Sequence, residues 1–480
     1  MTLAAEHPTA RVTSRYNFHV PVDGGVLLYN ANTGAILRFN GRDARDLAAS
    51  LTGGRIEVLE SRIPPEVYRQ LRVGGFIVDA NFDELAQIRD RFWHARSETP
   101  MALTITTTMD CNLGCYYCYE ERSGDKLEVK DVSAITALAR KRLSTLDKRS
   151  LHVDWYGGEP LLNREFMEAA SEALQVMCAE ENVAYSASII SNGTCWPEDV
   201  TGFLTRNRIR QVQISFDGMR ESHNRRRHYR KGYVPDEGAS SFDRAAEVVD
   251  ALLDHVRVDV RLNIDYGNQA DVRPFIEFAR SRGWFERRFP VVIQPARLSS
   301  YSDHSSFMRK SELSLEEYDA VRALVREEVR GEAPVEEAEI SGGYPHPKTS
   351  VCAALANDSV VIGADRRQYR CGLQVGESQR AVGMLAEPPK RQLPVLNQSS
   401  TGSDETWWQQ FDPTTLPTCS RCSFLPICWG GCPKKHLEKD AHAIAEQGAY
   451  WRQNLPRLIT MGAGSQVINS FSFGEADQFR

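Results

Sequence analysis

The cysteines are the residues whose spacing points most directly to chemistry. Of the eleven cysteines in this 480-residue chain, nine fall into two groups. The groups are Cys111, Cys115 and Cys118 in the first half, and Cys352, Cys371, Cys419, Cys422, Cys428 and Cys432 in the second. Clustered cysteines in a reducing compartment bind metal more often than they form disulfides, and an odd total fits complete pairing poorly. We therefore expect metal ligation by both groups and buried, inert thiols at Cys178 and Cys195.

Composition and charge exclude several other classes of protein. Hydrophobic residues make up 41% and charged residues 25% of the chain, values typical of a globular protein. No run of about 18 apolar residues could span a membrane, and the polar first residues lack the apolar segment of a secretory signal. A net charge of −6 gives no general attraction to nucleic acid or to anionic membranes. We expect a cytoplasmic protein.

An alternation of strands and helices must position the first cysteine group. Apolar runs predict strands at 103–108, 151–155, 185–190, 211–216, 257–263 and 290–294. Helical patterns between them cover 129–146, 163–181, 198–208, 241–255 and 270–282. This alternation predicts βαβ units and a parallel α/β sheet. Six units suit a partial (β/α)6 barrel, whose functional residues lie at the C-terminal ends of the strands.

The loop after the first predicted strand carries Cys111, Cys115 and Cys118 in a Cys-x3-Cys-x2-Cys motif. Three thiolates on a four-iron cluster leave one iron open for a small molecule. For the motif alone, a zinc site or three buried thiols are alternatives. In this position of a βα array, the motif resembles that of the radical S-adenosylmethionine (SAM) superfamily. There the open iron binds SAM, which the cluster cleaves to a 5′-deoxyadenosyl radical.

Segments at later strand ends strengthen this resemblance. Gly-Gly-Glu-Pro follows the second strand, Ser-Asn-Gly ends the third, and Ser-x-Asp-Gly ends the fourth, with His223 and Arg227 behind it. Asn263 ends the fifth. The resemblance implies a set of SAM-binding residues that consists of Tyr117, Gly157, Gly158, Glu159, Pro160, Ser191, Asn192, Ser215, Asp217, Arg227 and Asn263. It does not identify a catalytic residue.

A basic run at 224–232 follows the fourth strand. It contains five lysine and arginine residues, and a charge run of this kind is usually a solvated loop. At a strand end it could instead hold an acidic peptide or the SAM carboxylate. Only Arg227 is assigned to such a role.

The second cysteine group resembles the SPASM domain, which carries auxiliary iron–sulfur clusters in radical SAM peptide maturases. The match is the spacing Cys-x2-Cys-x5-Cys-x3-Cys that ends at Cys432. The resemblance implies two sets of ligands for auxiliary 4Fe–4S clusters: Cys352, Cys371 and Cys432 for the first, and Cys419, Cys422 and Cys428 for the second.

Three positions depart from the SPASM pattern. Arg366 stands where the family usually has glycine. Gly372 stands where sulfatase maturases carry an aspartate base, which argues against sulfatase maturation. The family usually has a further cysteine after Cys432, and this chain has none. Either one iron stays open, or a non-cysteine ligand completes the second cluster, the candidates being His436, Asp440 and Glu446.

Residues 1–100 form a pattern of their own. A hairpin over 24–40 is followed by helices at 41–51 and 64–73, a short strand that ends at 79, and a charged connector helix at 82–98. This order resembles the RiPP recognition element, a winged-helix-like domain of enzymes that modify ribosomally made peptides. It captures the leader of a precursor peptide as an added strand at its hairpin edge. A structural cap without binding is the alternative.

The predicted architecture is thus a radical SAM barrel between two smaller domains. The boundaries are 1–100 for the recognition-element-like domain, 101–296 for the radical SAM core, 297–350 for a linker and 351–480 for the SPASM domain. The expected function is modification of a residue in a precursor peptide after reductive cleavage of SAM, with flavodoxin or ferredoxin as electron donor. The alternatives are a maturase of a folded protein partner and a non-catalytic, metal-holding peptide-binding module.

Overall fold

The computed structural model describes most of the chain and divides it into two compact units. The described residues are 10–41, 43–58, 60–120, 122–235, 238–300, 303–329, 344–385, 404–463 and 470–473. The small-sheet unit comprises Met1–Ser97, Glu337–Cys352 and Phe411–Arg480. The large-sheet unit comprises Glu98–Glu336 and Ala353–Gln410. The four-part division expected from the sequence stays a prediction.

The described strands are numbered in chain order. They are β1 (Arg11–Thr13), β2 (Asn17–Val22), β3 (Gly25–Asn30), β4 (Ile36–Gly41), β5 (Ile77–Asp79), β6 (Met101–Thr106), β7 (Ser150–Tyr156), β8 (Ala184–Ser191), β9 (Ile209–Phe216), β10 (Arg257–Ile264), β11 (Val292–Arg297), β12 (Ser359–Ile362), β13 (Arg367–Tyr369), β14 (Gly383–Met384) and β15 (Ser470–Phe473).

The described α-helices are numbered in the same way. They are α1 (Ala44–Ser50), α2 (Pro65–Val73), α3 (Glu84–Ser97), α4 (Val132–Leu146), α5 (Arg164–Glu180), α6 (Val200–Arg206), α7 (Arg220–Arg226), α8 (Ser241–Leu252), α9 (Val272–Ser281), α10 (Leu315–Glu328), α11 (Asp404–Gln410), α12 (Leu425–Cys428), α13 (Pro433–Leu437) and α14 (Ala441–Ala463). Among the described helices, none combines the length and apolarity that crossing a membrane requires.

The large-sheet unit is built on nine described strands in the order β11-β10-β9-β8-β7-β6-β12-β13-β14. Strands β6 to β12 pair in parallel, whereas β13 and β14 pair antiparallel. The six strands and five helices predicted for this region are confirmed, with boundaries that agree within three residues. The parallel α/β sheet is therefore confirmed as well.

Alternation along the strands gives this sheet one apolar and one polar face. In β9, Val212, Ile214 and Phe216 are buried in the hydrophobic core. The intervening Gln213 and Ser215 are half-buried and line a cavity. Because successive side chains of a strand point to opposite faces, the polar set faces away from the core. The parallel sheet thus carries polar side chains into a cavity at its strand ends.

Two parts of the predicted architecture need comment. Strands β12 to β14 were missed, because runs of two to four residues give too little periodicity to recognise. The predicted linker 297–350 contains the regular helix α10, and its residues 301–302 and 330–343 lie outside the described residues.

The small-sheet unit contains the hairpin and helices predicted for residues 24–98. Its described strands form a sheet in the order β15-β4-β3-β2, and β1 pairs with β5 separately. Alternate residues of the β3–β4 hairpin, among them Val26, Leu28 and Phe39, pack with α1 and α2. Helix α3 is more than a connector, because Arg96 is buried and donates to the carbonyl of Phe411 over 3.0 Å. The recognition-element assignment stays a prediction.

Candidate functional site

The three cysteines of the first motif lie in the loop after β6. Cys115 is buried, and burial raises the pKa of the Cys111 and Cys118 thiols to about 12. The loop is held by the segment that follows α7. The amide of Gly114 donates to the carbonyl of His228 over 2.8 Å, and Arg230 donates to the carbonyl of Cys111 over 2.6 Å. The thiols are therefore fixed in position and protonated when no metal is bound.

One cavity of about 380 Å³ in the large-sheet unit brings most of the sequence-predicted residues together. All three thiols line it. Eight residues assigned to SAM also line it: Tyr117, Gly157, Gly158, Ser191, Asn192, Ser215, Arg227 and Asn263. The other three, Glu159, Pro160 and Asp217, lie outside its lining.

Gly157 and Gly158 join the end of β7 to the cysteine loop. Gly157 has φ +140°, and a Cβ on it would lie 2.4 Å from the carbonyl oxygen of Thr108. A Cβ on Gly158 would lie 2.3 Å from the carbonyl oxygen of Asp110, the residue before Cys111. Only glycine permits this approach of two backbones. The glycines hold the cysteine loop against the strand end and form part of the cavity wall.

Glu159 is a fully buried carboxylate that organises the end of β8. It accepts hydrogen bonds from the amide of Asn192 over 2.7 Å, the hydroxyl of Ser191 over 3.0 Å and the amide of Leu161 over 3.2 Å. Burial raises its pKa to about 7 in spite of these hydrogen bonds. The residue therefore positions Ser191 and Asn192.

A pH titration tests this position of Glu159. Because its pKa in the folded protein exceeds its ordinary value of 4.5, folding binds a proton between about pH 4.5 and 7. The corresponding stability is fully present below about pH 4.5 and is lost as the pH rises through 7. We expect the melting temperature of the metal-free wild type to fall relative to that of Glu159→Gln between pH 5 and 7 and then to level off. A constant difference from pH 5 to 8 would contradict this prediction.

Asn192 links the β8 end directly to the cysteine loop. Its amide nitrogen donates to the side-chain oxygen of Asn112 over 2.8 Å and lies 3.7 Å from the sulfur of Cys111. Its side-chain oxygen accepts from the amide and the hydroxyl of Thr194. The amide group is therefore fixed beside the thiol, where it can donate to a metal-bound sulfur.

A buried polar network closes another side of the cavity. The hydroxyl of Tyr117 donates to Asp217 over 2.7 Å and accepts from Arg227 over 2.7 Å. Asn263 donates to the same carboxylate oxygen over 3.1 Å. Four residues predicted from three strand ends thus meet. Asp217 is fully buried and holds the others in place.

The solvated-loop interpretation of the basic run is wrong for its middle. Arg226 ends helix α7 and Arg227 caps it, and both side chains are buried. Arg226 donates to Asp217 over 3.0 Å and, with both terminal nitrogens, to Asp265 over 2.9 and 3.1 Å. Burial alone would lower the pKa of Arg226, but these two carboxylates outweigh it and raise the pKa. Arg225 and Lys231 remain exposed, as expected.

The sequence interpretation missed several residues of the cavity wall, among them Glu120, Tyr156 and Arg261. Burial raises the pKa of Glu120, which lies beside Tyr156, to about 7. Arg261 donates to the side-chain oxygen of Asn263 over 3.1 Å, two residues along β10. The strand period of two places Arg261 on the same face as Asn263, so this signal was present in the sequence.

The cavity fits a cluster with a bound carboxylate ligand in two respects. Cys111, Cys115 and Cys118 form no disulfide, and metal binding would release their protons. The Nε of Arg227 is buried without a hydrogen-bond partner among the described residues, although Arg227 lines the cavity. A carboxylate bound there would satisfy it.

No three described His, Cys, Asp or Glu side chains are placed to hold one metal ion. This does not conflict with a cluster. Its thiolates bind different irons and therefore stand farther apart than the ligands of a single ion.

The second cysteine group is distributed over both units. Cys371 belongs to the large-sheet unit, whereas Cys352 and Cys432 belong to the small-sheet unit and are exposed. In the small-sheet unit, burial raises the pKa of the Cys428 thiol to about 11, and Cys419 and Cys422 are close enough to act on it electrostatically. The residues implied for the second auxiliary cluster therefore lie together.

The residues available beside that group differ in their environments. A Cβ on Gly430 would lie 3.6 Å from the imidazole Nε2 of His436 and 3.7 Å from the sulfur of Cys419. Asp440 instead accepts from Lys435 over 3.1 Å. The Nε2 of His436 also lies 2.7 Å from the carbonyl oxygen of Gly430, so both side chains already have hydrogen-bond partners. Of the two thiols predicted to be buried, Cys178 lies in the core, whereas Cys195 is half-buried and packs against it.

Comparison with known proteins assigns the core of the large-sheet unit. Residues 105–280 match the Radical SAM superfamily. This segment is a radical SAM domain. The family implies a 4Fe–4S cluster and SAM, and the cavity described above lies within this domain and the residues that follow it.

Individual relatives are distant. A probable GTP 3′,8-cyclase from Methanocella arvoryzae is 27% identical over 212 residues, which are 43% of this chain and 59% of the relative. The serine-type anaerobic sulfatase-maturating enzyme of Klebsiella aerogenes is 23% identical over 342 residues, which are 67% of this chain and 77% of the relative. The chain therefore spans about three fifths of the cyclase and three quarters of the sulfatase-maturating enzyme.

A solved structure supports the radical SAM fold. The structure of native anSMEcpe with bound AdoMet and Cp18Cys peptide matches with a TM-score of 0.53 and 18% identity. The match covers 76% of this chain and all of that one. At this identity the likeness concerns the fold.

Proposed function

We propose that this protein is a radical SAM enzyme that modifies a residue of a ribosomally made precursor peptide. The observation that carries the proposal is the single cavity lined by three thiols, by the strand-end residues of the radical SAM domain and by Arg227. A 4Fe–4S cluster held by Cys111, Cys115 and Cys118, with SAM on its open iron, would supply a 5′-deoxyadenosyl radical that abstracts a substrate hydrogen.

The chain's own residues bind and orient the reactants. The unsatisfied Nε of Arg227 would take the SAM carboxylate, while Tyr117 and Asp217 fix the guanidinium. Asn192 lies beside Cys111 and would tune the cluster sulfur by a hydrogen bond. Glu159 lies outside the cavity lining and positions Asn192 by accepting a hydrogen bond from its backbone amide. Arg227 and Asn192 would thus contact the reactants, whereas Tyr117, Asp217 and Glu159 position these two residues.

Two observations favour a peptide over a nucleotide as the substrate. The match to the sulfatase-maturating enzyme extends over 67% of this chain, whereas the match to the GTP cyclase covers 43%. The structural relative also binds a peptide together with AdoMet. Because of the similarity to a sulfatase-maturating enzyme, a folded protein partner is the second candidate substrate. The modification itself, whether a cross-link, a thioether or ether, or an epimerisation, is left open.

The remaining parts of the proposal follow from the resemblances in the sequence. Residues 1–100 would bind the leader of the precursor, and residues 351–480 would form a SPASM domain. Cys352, Cys371 and Cys432 would hold the first auxiliary cluster and Cys419, Cys422 and Cys428 the second. A flavodoxin or ferredoxin in the cytoplasm would supply the electron.

Iron analysis tests the second auxiliary set independently of turnover. We expect Cys428→Ala, reconstituted anaerobically, to bind about four irons fewer than the wild type, because one cluster loses a ligand from its closely spaced group. Cys195→Ala is the matched control and should retain the full iron content. Equal iron in both variants would remove Cys428 from the ligand set.

Co-expression with a candidate precursor tests the function itself. The precursor is chosen as a short open reading frame beside the gene and is produced with deuterium at its carbon atoms. Mass spectrometry should then show a modified peptide and deuterium in the 5′-deoxyadenosine. Unlabelled 5′-deoxyadenosine with an unchanged peptide, for the neighbouring precursors tested, would contradict the peptide-maturase proposal.

A further inference from the structure

Strand β15 occupies the outer edge of the hairpin in the small-sheet unit. It pairs in parallel with β4, from Ser470 opposite Arg38 to Phe473 opposite Gly41. The sheet order β15-β4-β3-β2 places it beyond the hairpin strand β4. This is the hairpin edge at which the sequence resemblance predicts that a leader peptide adds as a strand. In the structure, the chain's own segment lies there.

The contacts of β15 define the chemistry that this edge accepts. Phe471 packs against Phe39, with ring centroids 6.1 Å apart, at the margin of the apolar core. Its neighbour Ser470 is exposed. Main-chain pairing therefore holds an extended segment, and an aromatic side chain between small polar residues supplies the anchor. Both are the elements of recognition by strand addition.

The parallel pairing of β15 with β4 is of a less stable type than the antiparallel pairing of the hairpin. The four described residues of β15 pair with β4 in parallel, whereas β3 and β4 pair antiparallel over five positions. Parallel pairing is also slightly less stable per residue than antiparallel pairing. Among the described residues, the pairing begins at Arg38 of β4, opposite Ser470.

We propose that β15 can be displaced from the edge of β4 by an extended segment of another peptide. That segment would carry an aromatic anchor between small polar residues. The identification of that segment with part of the precursor rests on the proposed function. Exchange at the edge would then control when a precursor can dock.

A matched pair of full-length variants tests the exchange. Phe471→Asp places a charge against the apolar core, and Ser470→Asp places the same charge on the neighbouring exposed residue. The probe is a fluorescein-labelled peptide with the sequence of residues 467–476, and binding is measured by fluorescence anisotropy. We expect Phe471→Asp to bind the probe at least about tenfold more tightly than the wild type, because the linked competitor is lost. Ser470→Asp should match the wild type.

The outcomes are decisive in both directions. No binding to a Phe471→Asp variant with an unchanged circular dichroism spectrum, or equal binding to this variant and the wild type, would overturn the proposal. Wild-type dimers that dissociate in Phe471→Asp would assign β15 to a second copy and also overturn it. A probe carrying aspartate at the Phe471 position should fail to bind.

Hydrogen exchange on the wild type keeps the test independent of folding in the variant. Excess unlabelled probe should speed exchange of the β15 amides and leave β3 and β4 protected. If β15 stays as protected as β3 under these conditions, it is a fixed strand. Neither readout involves SAM, so a failure of the proposed function would show as missing 5′-deoxyadenosine with probe binding intact.

Discussion

Replacing Cys115 with alanine is expected to abolish formation of 5′-deoxyadenosine. Cys115 is buried and is the middle residue of the three thiols that line the cavity. Burial raises the pKa of its thiol, and the nearby Arg227 offsets this only in part. Loss of one of three ligands leaves the cluster with two thiolates, too few to hold it with one iron reserved for SAM. The product is measured by mass spectrometry after anaerobic reconstitution with SAM and a chemical reductant.

Cys178→Ala is the control for this prediction. Cys178 is a buried thiol of the same unit, but it packs within the hydrophobic core on α5. Its removal should leave 5′-deoxyadenosine formation near the wild-type level. The auxiliary iron should remain in Cys115→Ala. SAM cleavage retained in Cys115→Ala would remove this cysteine from the SAM cluster and contradict the assignment of the site.

The second large effect is expected for Arg226→Met. The Arg226 side chain is 5% exposed and pairs with Asp217 and Asp265, which are 0% and 1% exposed. Methionine fills similar volume but leaves both carboxylates buried without their common partner. Such a loss costs about 3–5 kcal/mol of unfolding free energy. In a unit of this size it lowers the melting temperature by roughly 5–15 °C.

The neighbouring arginine provides a matched control. The Arg225 side chain is 63% exposed and lies 4.0 Å from Glu221 on the same helix face. Exposed pairs of this kind contribute about 0.3–0.5 kcal/mol. We therefore expect Arg225→Met to melt within about 2 °C of the wild type. Equal melting temperatures for the two variants, measured by circular dichroism, would show that the buried network does not stabilise the domain.

The sequence predicted the scaffold of the candidate site well because the scaffold is periodic. Alternating apolar residues in β9 and β10 identify strands, and parallel strands end at one edge of a sheet. Residues at those ends therefore had to meet, and Tyr117, Arg227 and Asn263 do. Local pattern and topology are sufficient for this part of the structure.

Burial of polar groups could not be predicted in the same way. Arg226 and Arg225 are adjacent and identical in type, yet one is buried between two carboxylates and the other is exposed. The difference arises from Asp265, which is 39 residues away in sequence. Likewise, the Glu159 motif indicates a SAM contact, whereas the carboxylate is directed to the backbone of Asn192. Such contacts depend on tertiary structure.

The pairing of β15 with β4 is the clearest non-local feature. Four residues near 470 carry no pattern that identifies a partner more than 400 residues earlier. The hairpin edge could be recognised from the sequence, but its occupant could not. Short strands such as β12 to β14 were missed for the same reason, since their formation depends on the neighbouring strand rather than on their own residues.

The most direct test of the central claim is SAM cleavage by the reconstituted wild-type protein. Purified anaerobically, supplied with iron and sulfide, and then mixed with reductant and SAM, the protein is predicted to show the brown absorbance of 4Fe–4S clusters and to form 5′-deoxyadenosine. A protein that gains no such absorbance and forms no 5′-deoxyadenosine would contradict the account. It would then be a peptide-binding module without radical chemistry.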